Sequence, residues 1–320
     1  MATFITTGGI GKTLCFSAAI PKLAAKYGDI NIMSPWADLF YNLPGVRRSV
    51  DLMLEYGYED YFKGQDRFSP EPYNNNRFFK KEIGLIEAFF EELDLPFDRE
   101  TDVPLVPFTS QMAINKIQEI KKNGEFIVVQ FMGGNQAQNG KPSDKIMVKD
   151  YPVQYVEQVL LKIREKYPKM QIVNYGLPFE WNIEGTISVG DLPYTAAPYL
   201  LNEAKTFIAM DSNLQHFSIC KNIKKTGIVL WGATSPVSFG YEHNYNLTNE
   251  CPLKDQFCNR PYFQHTSDIV GKGNVWSCPA RSCININPDN IMEYLDKIMN
   301  PVEEPKAESK KQTKGKEAVS

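Results

Sequence analysis

The tightest constraint in this sequence is a repeated alternation of short β-branched or aromatic runs with amphipathic stretches of helical length. Thr3-Phe-Ile-Thr6 reads as a strand, Gly8-Gly-Ile-Gly11 as a turn, and Thr13 to Tyr27 as a helix with Leu14, Ala18 and Leu23 among its apolar positions. Pro21 predicts that this helix kinks or splits in two. Ile30–Met33 and Val50–Leu54 read as strands separated by a short helix over Trp36–Leu43, and Glu82–Leu93 reads as helical. After a stretch punctuated by Pro96, Pro104 and Pro107 the alternation restarts. Helices are expected at 110–122, 152–166, Tyr194–Ala204, 213–222 and Asp289–Met299. The intervening strands are Phe126–Phe131, Gln171–Tyr175, Thr206–Met210 and Gly227–Trp231. Strands joined through helices imply parallel sheets with right-handed crossovers. The expected class is α/β, with two Rossmann-like units over 1–108 and 109–300.

The 320 residues are enough for two such units, each with its own core. Residues 301–320 are rich in Lys, Glu and Ser and nearly free of apolar side chains, which predicts a disordered tail. The longest apolar candidate, Phe126 to Met132, is strand-sized, so no membrane span is expected. The first residues lack a basic, then apolar, leader pattern. Together with six cysteines in such a chain, this points to thiols in a reducing, cytoplasmic setting rather than a disulfide framework. A net charge of −3 argues against a surface built to coat nucleic acid, while a local basic groove stays compatible with it. Residues 56–80 break the rhythm, with Tyr56, Tyr58, Tyr61, Phe62, Tyr73, Phe78 and Phe79 among Asn, Pro and charges. Such a segment either packs its rings on the domain or serves as an acceptor-binding loop.

Chemistry concentrates at turns that follow strands. Thr6-Thr-Gly-Gly-Ile-Gly-Lys-Thr13 passes from a strand to a helix, where glycines allow close backbone approach and the helix N-terminus attracts anions. A P-loop would use Gly9, Gly11, Lys12 and Thr13 in this way, and a P-loop-type ATPase is one function to weigh. Against it, Thr6 stands where that motif requires its first glycine, and no acidic strand end for magnesium stands out downstream. A plain βα turn is the simpler structural reading.

Three clusters in the second half also lie at the carboxyl ends of expected strands, where open parallel sheets bind ligands. These are Phe126 through Gly133-Gly134-Asn135, followed by Lys149-Asp-Tyr-Pro152; Phe207 through Asp211-Ser-Asn-Leu-Gln-His216; and Gly227 through Gly232-Ala-Thr-Ser-Pro236. Asp211 suits a ribose or sugar hydroxyl, the N–H groups after Ser212 suit a diphosphate, and Lys149 adds positive charge. Each residue also has a plain structural role to weigh: Asp211-Ser212 as a helix cap, His216 as a packed histidine, Lys149 as a solvated surface charge.

In order and spacing, Asp211-Ser-Asn-Leu-Gln-His216 followed by Gly232-Ala-Thr-Ser-Pro236 resembles the signature of glycosyltransferase family 9, the heptosyltransferases and their relatives. Lys149-Asp-Tyr-Pro152 is similar to that family's Lys-Arg-Trp-Pro. Gly8-Gly-Ile-Gly11 and Asn42-Leu-Pro-Gly-Val46 resemble its N-terminal elements. The resemblance covers 1–50 and 126–300. It implies a GT-B fold, in which two Rossmann-like domains face a cleft and the last helix can return to the first domain. It also implies inverting transfer from a nucleotide-diphosphate sugar to an acceptor hydroxyl, without a catalytic metal or other cofactor. Carried over, Lys149, Asp211, the Ser212–Asn213–Leu214 backbone, His216, Gly133, Gly134 and Asn135 would form the sugar-nucleotide pocket. Two departures stand out: Asn213 replaces a glycine, and Lys12 replaces the aspartate proposed as general base. A charged lysine suits the departing diphosphate better than proton abstraction, which leaves Asp38 as a candidate base. The acceptor classes are a glycan, a lipopolysaccharide-type core or a modified nucleobase in nucleic acid. The lost aspartate also raises a noncatalytic nucleotide-sugar-binding relative.

Cys251, Cys258, Cys278 and Cys283 cluster within a short window, with wider spacing than a zinc ribbon. They are candidate ligands for a structural zinc or iron, or separate thiols. Cys15 and Cys220 fall inside expected helices and are expected in the core.

Overall fold

The computed structural model describes residues 2–52, 63–132, 150–176, 183–232, 234–250 and 282–301. The first unit begins with β1 (Ala2–Ile5), α1 (Ile10–Phe16), a 3-10 turn (Ser17–Ala19) and α2 (Ile20–Tyr27). The helix expected over Thr13–Tyr27 is thus split. Pro21 sits in the first turn of α2, where its missing N–H removes no intrahelical bond. β2 (Ile30–Ser34) is buried throughout, and a 3-10 turn (Ala37–Phe40) leads to β3 (Val46–Asp51).

The irregular segment then contributes β4 (Asp66–Phe68), a 3-10 turn (Pro72–Asn74) and α3 (Asn76–Phe79) before α4 (Leu85–Glu92). β4 pairs with β1 in parallel, so this part of the segment is a structural member of the sheet. Its rings pack inward: Phe68 stacks on Phe4 with centroids 5.0 Å apart, and Phe78 is fully buried. The sheet order is β3-β2-β1-β4, all parallel.

The second unit contains α5 (Gln111–Lys122), β5 (Phe126–Gln130), α6 (Val153–Lys166), β6 (Gln171–Asn174) and β7 (Ile187–Ser188). It continues through α7 (Ala197–Glu203), β8 (Phe207–Met210), α8 (Asn213–Phe217), β9 (Ile228–Trp231), α9 (Pro236–Phe239), β10 (Tyr245–Thr248) and α10 (Pro288–Met299). Its parallel sheet runs β10-β9-β8-β5-β6-β7, which in the unit's own strand count is the 3-2-1-4-5-6 order of dinucleotide-binding folds. β5, β8 and β9 are buried along their whole length because helices cover both faces, which is why they read as continuous apolar runs.

One apolar cluster is continuous across the two units. It takes in Phe4, Phe16 and Phe89 of the first and Phe126, Phe207 and Trp231 of the second. A separate cluster fills the far face of the second sheet beneath α6 and α10, with Val156, Leu160, Ile291 and Leu295. α10 packs on α6, where Lys162 pairs with Asp289 at 2.8 Å and Tyr167 donates to Asp296 at 2.5 Å. The last helix therefore stays with the second sheet instead of returning to the first. The proline-punctuated link runs between the units, held by Leu105 N–H to Ser17 Oγ at 2.9 Å and Lys221 N–H to the Pro104 carbonyl at 2.8 Å. Among the described residues, no helix is long and apolar enough to cross a membrane.

Candidate active site

Each sheet has one place where the strand order reverses: between β1 and β4 in the first, and between β5 and β8 in the second. Adjacent connections leave in opposite directions there and open a crevice at the carboxyl ends of the strands.

In the first unit, β1 leads through Thr6-Thr-Gly-Gly into α1. Gly8 has φ +104, and its missing Cβ would lie 2.9 Å from Lys12 Cδ. Lys12 therefore curls back over its own loop, where Trp36 Nε1 also donates to the Gly8 carbonyl at 2.7 Å. The Lys12 side chain is 5% exposed and its ammonium donates to both oxygens of Glu71, at 2.7 and 2.6 Å. Glu71 lies three residues beyond β4, so the ion pair spans the reversal point. Its carboxylate also accepts the Tyr73 N–H at 3.2 Å, and Lys12 Nζ sits 4.6 Å from the centre of the Tyr73 ring. The lysine expected to face a departing diphosphate is instead committed to a carboxylate. Thr13 is fully buried inside α1.

In the second unit, β5 ends in Gln130, and its Nε2 donates to Asn213 Oδ1 at 2.9 Å across the reversal point. Asn213 Nδ2 in turn lies 3.5 Å from the Tyr175 hydroxyl beyond β6. Among the described residues, Gln130 Oε1 is buried with no hydrogen-bond partner. Ser212 stands at the N-cap of α8 but makes no side-chain cap bond; its hydroxyl lies 3.3 Å from Asn213 Oδ1. The first turn of α8 therefore lacks the side-chain acceptor that normally satisfies its N–H groups.

Asp211, 2% exposed, accepts the Thr234 hydroxyl on Oδ2 and Gln215 Nε2 at 3.3 Å on Oδ1. The carboxylate ties the end of β8 to α8 and to the turn after β9. Gln215 also donates to the Phe239 carbonyl at 3.0 Å, extending the tie to α9.

The two crevices meet through α1 and α8. A Cβ on Gly11 would fall 2.3 Å from His216 Cδ2, so the glycine is what lets the histidine ring lie on α1. His216 Nδ1 is 2.6 Å from the Tyr241 hydroxyl and 3.6 Å from Cys15 Sγ. Burial pushes the Cys15 thiol up to about 12, only partly offset by its bond to Tyr241. Burial also raises the Tyr241 phenol far above its ordinary range, with the neighbouring Cys15 adding to the effect. Cys15 and Tyr241 are thus held protonated in a packed junction. Tyr73 spans the same gap, its phenol raised first by burial and then by the neighbouring Asp211, Cys15 and Glu71.

Asp38 lies elsewhere, exposed after β2. It hydrogen-bonds Tyr194, whose phenol is raised chiefly by burial and then by that carboxylate. Gly133, Gly134, Asn135 and Lys149 lie outside the described residues, as do Cys251, Cys258 and Cys278. Met132 and Asp150, which flank the first of these stretches, pair in an isolated antiparallel bridge, so the chain leaves and re-enters beside β5. Cys283 is buried against the second core, and among the described residues no cluster of His, Cys, Asp or Glu forms a metal site. Glu71 and Tyr241 did not figure as site residues in the sequence, and Tyr73 figured only as one ring of the 56–80 segment. The usable signal for Glu71 was its frame, Pro70-Glu-Pro72, which fixes a carboxylate on a stiff turn.

No protein-family model and no curated protein sequence matches the chain. Solved structures do match it from end to end. A glycosyl transferase family 9 protein from Veillonella parvula is 14% identical, with 93% of this chain and 97% of that chain covered and a TM-score of 0.64. The E. coli ADP-heptose lipopolysaccharide heptosyltransferase II is 12% identical, with 93% and 98% covered and a TM-score of 0.56. An E. coli heptosyltransferase solved with ADP is 10% identical, with 93% and 100% covered and a TM-score of 0.52. The chain has the GT-B fold of these proteins, two Rossmann-like units with parallel sheets about a central cleft.

Proposed function

We propose that this protein is a glycosyltransferase that moves a sugar from a nucleotide-diphosphate sugar to an acceptor hydroxyl, with inversion at the anomeric carbon and without a catalytic metal. The observation that carries this reading is the pairing of two strand-order reversal points across one junction, within a fold shared end to end with a family 9 transferase.

The sugar nucleotide belongs at the second reversal point. There Gln130 and Asn213 offer amide groups, and the first-turn N–H groups of α8 over Ser212–Leu214 can receive the diphosphate. Asp211 acts mainly by holding α8 and the Thr234 turn in place, since both its oxygens are already bonded inside the protein. Gly133, Gly134, Asn135 and Lys149, which the family resemblance assigns to the sugar nucleotide, follow β5 in sequence. His216 contributes at the junction rather than in the pocket. The acceptor would enter at the first reversal point, beside Glu71 and Tyr73.

A P-loop-type ATPase is less well supported. The glycine loop here opens a short α1 that packs on His216, and Lys12 is bound to Glu71. The four late cysteines would serve at most as a structural zinc or iron site.

The test is a thermal-shift panel of ADP-, UDP-, GDP- and CDP-sugars, followed by measurement of nucleoside diphosphate release. Because two of the matched structures are named for ADP-heptose or contain ADP, ADP-sugars come first. At one hundred times Kd, binding adds about 2.7 kcal/mol of stability. Stabilisation with release of nucleoside diphosphate supports a transferase. Stabilisation without turnover indicates a binding protein, and ATP hydrolysis with no response to sugar nucleotides overturns the reading.

A further inference from the structure

We propose that Glu71 is the general base of the transfer, and that Lys12 is the positioning residue that presents its carboxylate to the acceptor. This rests on the transferase reading above.

Attack by a hydroxyl on an anomeric carbon requires a group that takes the proton as the new C–O bond forms. Lys12 cannot supply it, because an ammonium carries three donors and no lone pair. Asp211 is enclosed, with both oxygens engaged by Thr234 and Gln215. Asp38 lies after β2, one strand away from the reversal point, and bonds Tyr194.

Glu71 differs on each count. It stands beyond β4 at the reversal point itself, and its side chain is 35% exposed. Its carboxylate has about four lone-pair sites. Two on Oε1 are taken by Lys12 and the Tyr73 N–H, and one on Oε2 by Lys12, which leaves an acceptor position on Oε2. Pro70 and Pro72 stiffen the backbone on either side, and Lys12 is nearly enclosed, so the carboxylate is held rather than waving on the surface. Tyr73, two residues on, packs edge-on against Phe239 of the second unit with ring centroids 6.3 Å apart, which places this carboxylate on the side of the first unit that faces the second.

The step balances without a co-reactant. The acceptor O–H proton passes to Glu71 Oε2 while the acceptor oxygen bonds the anomeric carbon. The bond from that carbon to the diphosphate oxygen breaks, and its electron pair leaves on the nucleoside diphosphate. Lys12 stays protonated throughout and keeps its bonds to the carboxylate.

The experiment uses the full chain with ADP-glucose and ADP-heptose, and water as the acceptor, reading ADP release. Glu71→Gln should lower kcat by about 10²- to 10⁴-fold, while the dissociation constant for the sugar nucleotide changes less than threefold. The fall in wild-type kcat towards low pH, where the base becomes protonated, should vanish in Glu71→Gln. Azide, already an anion, needs no base. It should restore ADP release at least tenfold in Glu71→Gln, with formation of a glycosyl azide, and should leave the wild type little changed. The double variant Lys12→Met/Glu71→Gln removes both charges, so no buried ammonium is left unpaired. It should fold, bind and respond to azide like Glu71→Gln. Wild-type turnover that survives Glu71→Gln, or a loss that azide does not rescue in either variant, overturns the assignment. Absence of nucleoside diphosphate release in the wild type with every ADP-, UDP-, GDP- and CDP-sugar of the panel overturns the transferase reading first, and the assignment with it.

Discussion

Gly11→Ala tests the junction between the two units directly. The added methyl carbon would start 2.3 Å from His216 Cδ2 and 3.0 Å from Nε2. Carbon atoms in contact sit about 3.5–4.0 Å apart, so one partner has to move by more than about 1 Å. The histidine cannot swing away cheaply, because its Nδ1 is held at 2.6 Å by the buried Tyr241 hydroxyl. Overpacking of this kind costs about 1–3 kcal/mol, and losing the Tyr241 bond adds about 1 kcal/mol. The gain in helix propensity from replacing glycine, at most about 1 kcal/mol, offsets only part of it. A net loss of about 2 kcal/mol lowers Tm by roughly 3 °C in a chain of 320 residues. The assay is a double-mutant cycle by urea unfolding with Gly11→Ala, His216→Ala and the pair. Removing the imidazole should make the alanine nearly harmless, a coupling of about 1–2 kcal/mol. If Gly11→Ala is as stable as the parent, or costs the same with and without His216, the junction is not built as described.

Thr234→Val deletes the hydroxyl that bonds buried Asp211 and should cost about 1.5–3 kcal/mol in a urea titration. Thr234→Ser should recover most of it, and a Val variant within 0.5 kcal/mol of the parent would contradict the tie. Ser110 caps α5 by accepting the Ala113 N–H at 3.2 Å, so Ser110→Ala should cost about 1 kcal/mol. Ser212→Ala should cost under about 0.5 kcal/mol, since that cap bond is not made. Equal losses would mean that Ser212 caps α8 after all. The Cys15 thiol is pushed up to about 12, so in the native protein it should resist alkylation at pH 8 and react only once the chain is unfolded, as peptide mapping will show. The sign follows from linkage. An acid whose folded value is raised contributes fully below its unfolded value near 9 and loses that contribution as pH climbs towards about 12. Cys15→Ala should therefore flatten the loss of stability above pH 9, and an unchanged alkaline limb would count against the buried thiol.

The strands that were easiest to read are those enclosed on both faces. Phe126–Gln130 and Ile228–Trp231 announce themselves as apolar runs because every position is buried. Asp66–Phe68, Ile187–Ser188 and Tyr245–Thr248 carry too few apolar residues to show a period, and they form only by pairing with a strand distant in sequence. The helix expected over 213–222 stops at Phe217, and Asn222 beyond it takes φ 71, a turn conformation that hydrophobic spacing does not encode. The site divides in the same way. Asp211, Ser212 and His216 stand out together in the sequence because they share one strand-to-helix turn. Glu71 does not, since its partner Lys12 is 59 residues away and only the β1–β4 pairing brings them together. The contact between Cys15 and His216 spans 201 residues and depends on the packing of α1 against α8.

The two reversal points are built alike and charged differently, and that difference orders the proposed chemistry. In each, a side chain that follows the unit's first strand bonds one that follows the strand across the reversal: Lys12 to Glu71 in the first unit, Gln130 to Asn213 in the second. The amide pair carries no charge and lies beside an α8 terminus without a side-chain cap, so among the described residues at that turn the one carboxylate is enclosed Asp211. The ion pair presents its carboxylate outward and keeps its ammonium enclosed, which suits a neutral hydroxyl that must lose a proton and disfavours a second anion. Exchanging the two roles would set a diphosphate against Glu71 and leave the acceptor proton without a base. The charge arrangement therefore supports the proposed order, with the sugar nucleotide on the second unit and the acceptor on the first. Charge reversal tests that order: Asn213→Asp should weaken sugar-nucleotide binding by at least tenfold, while Glu71→Gln leaves binding intact and removes turnover. Equal binding by Asn213→Asp and the parent in a titration with ADP-sugar would refute the assignment of the diphosphate to α8.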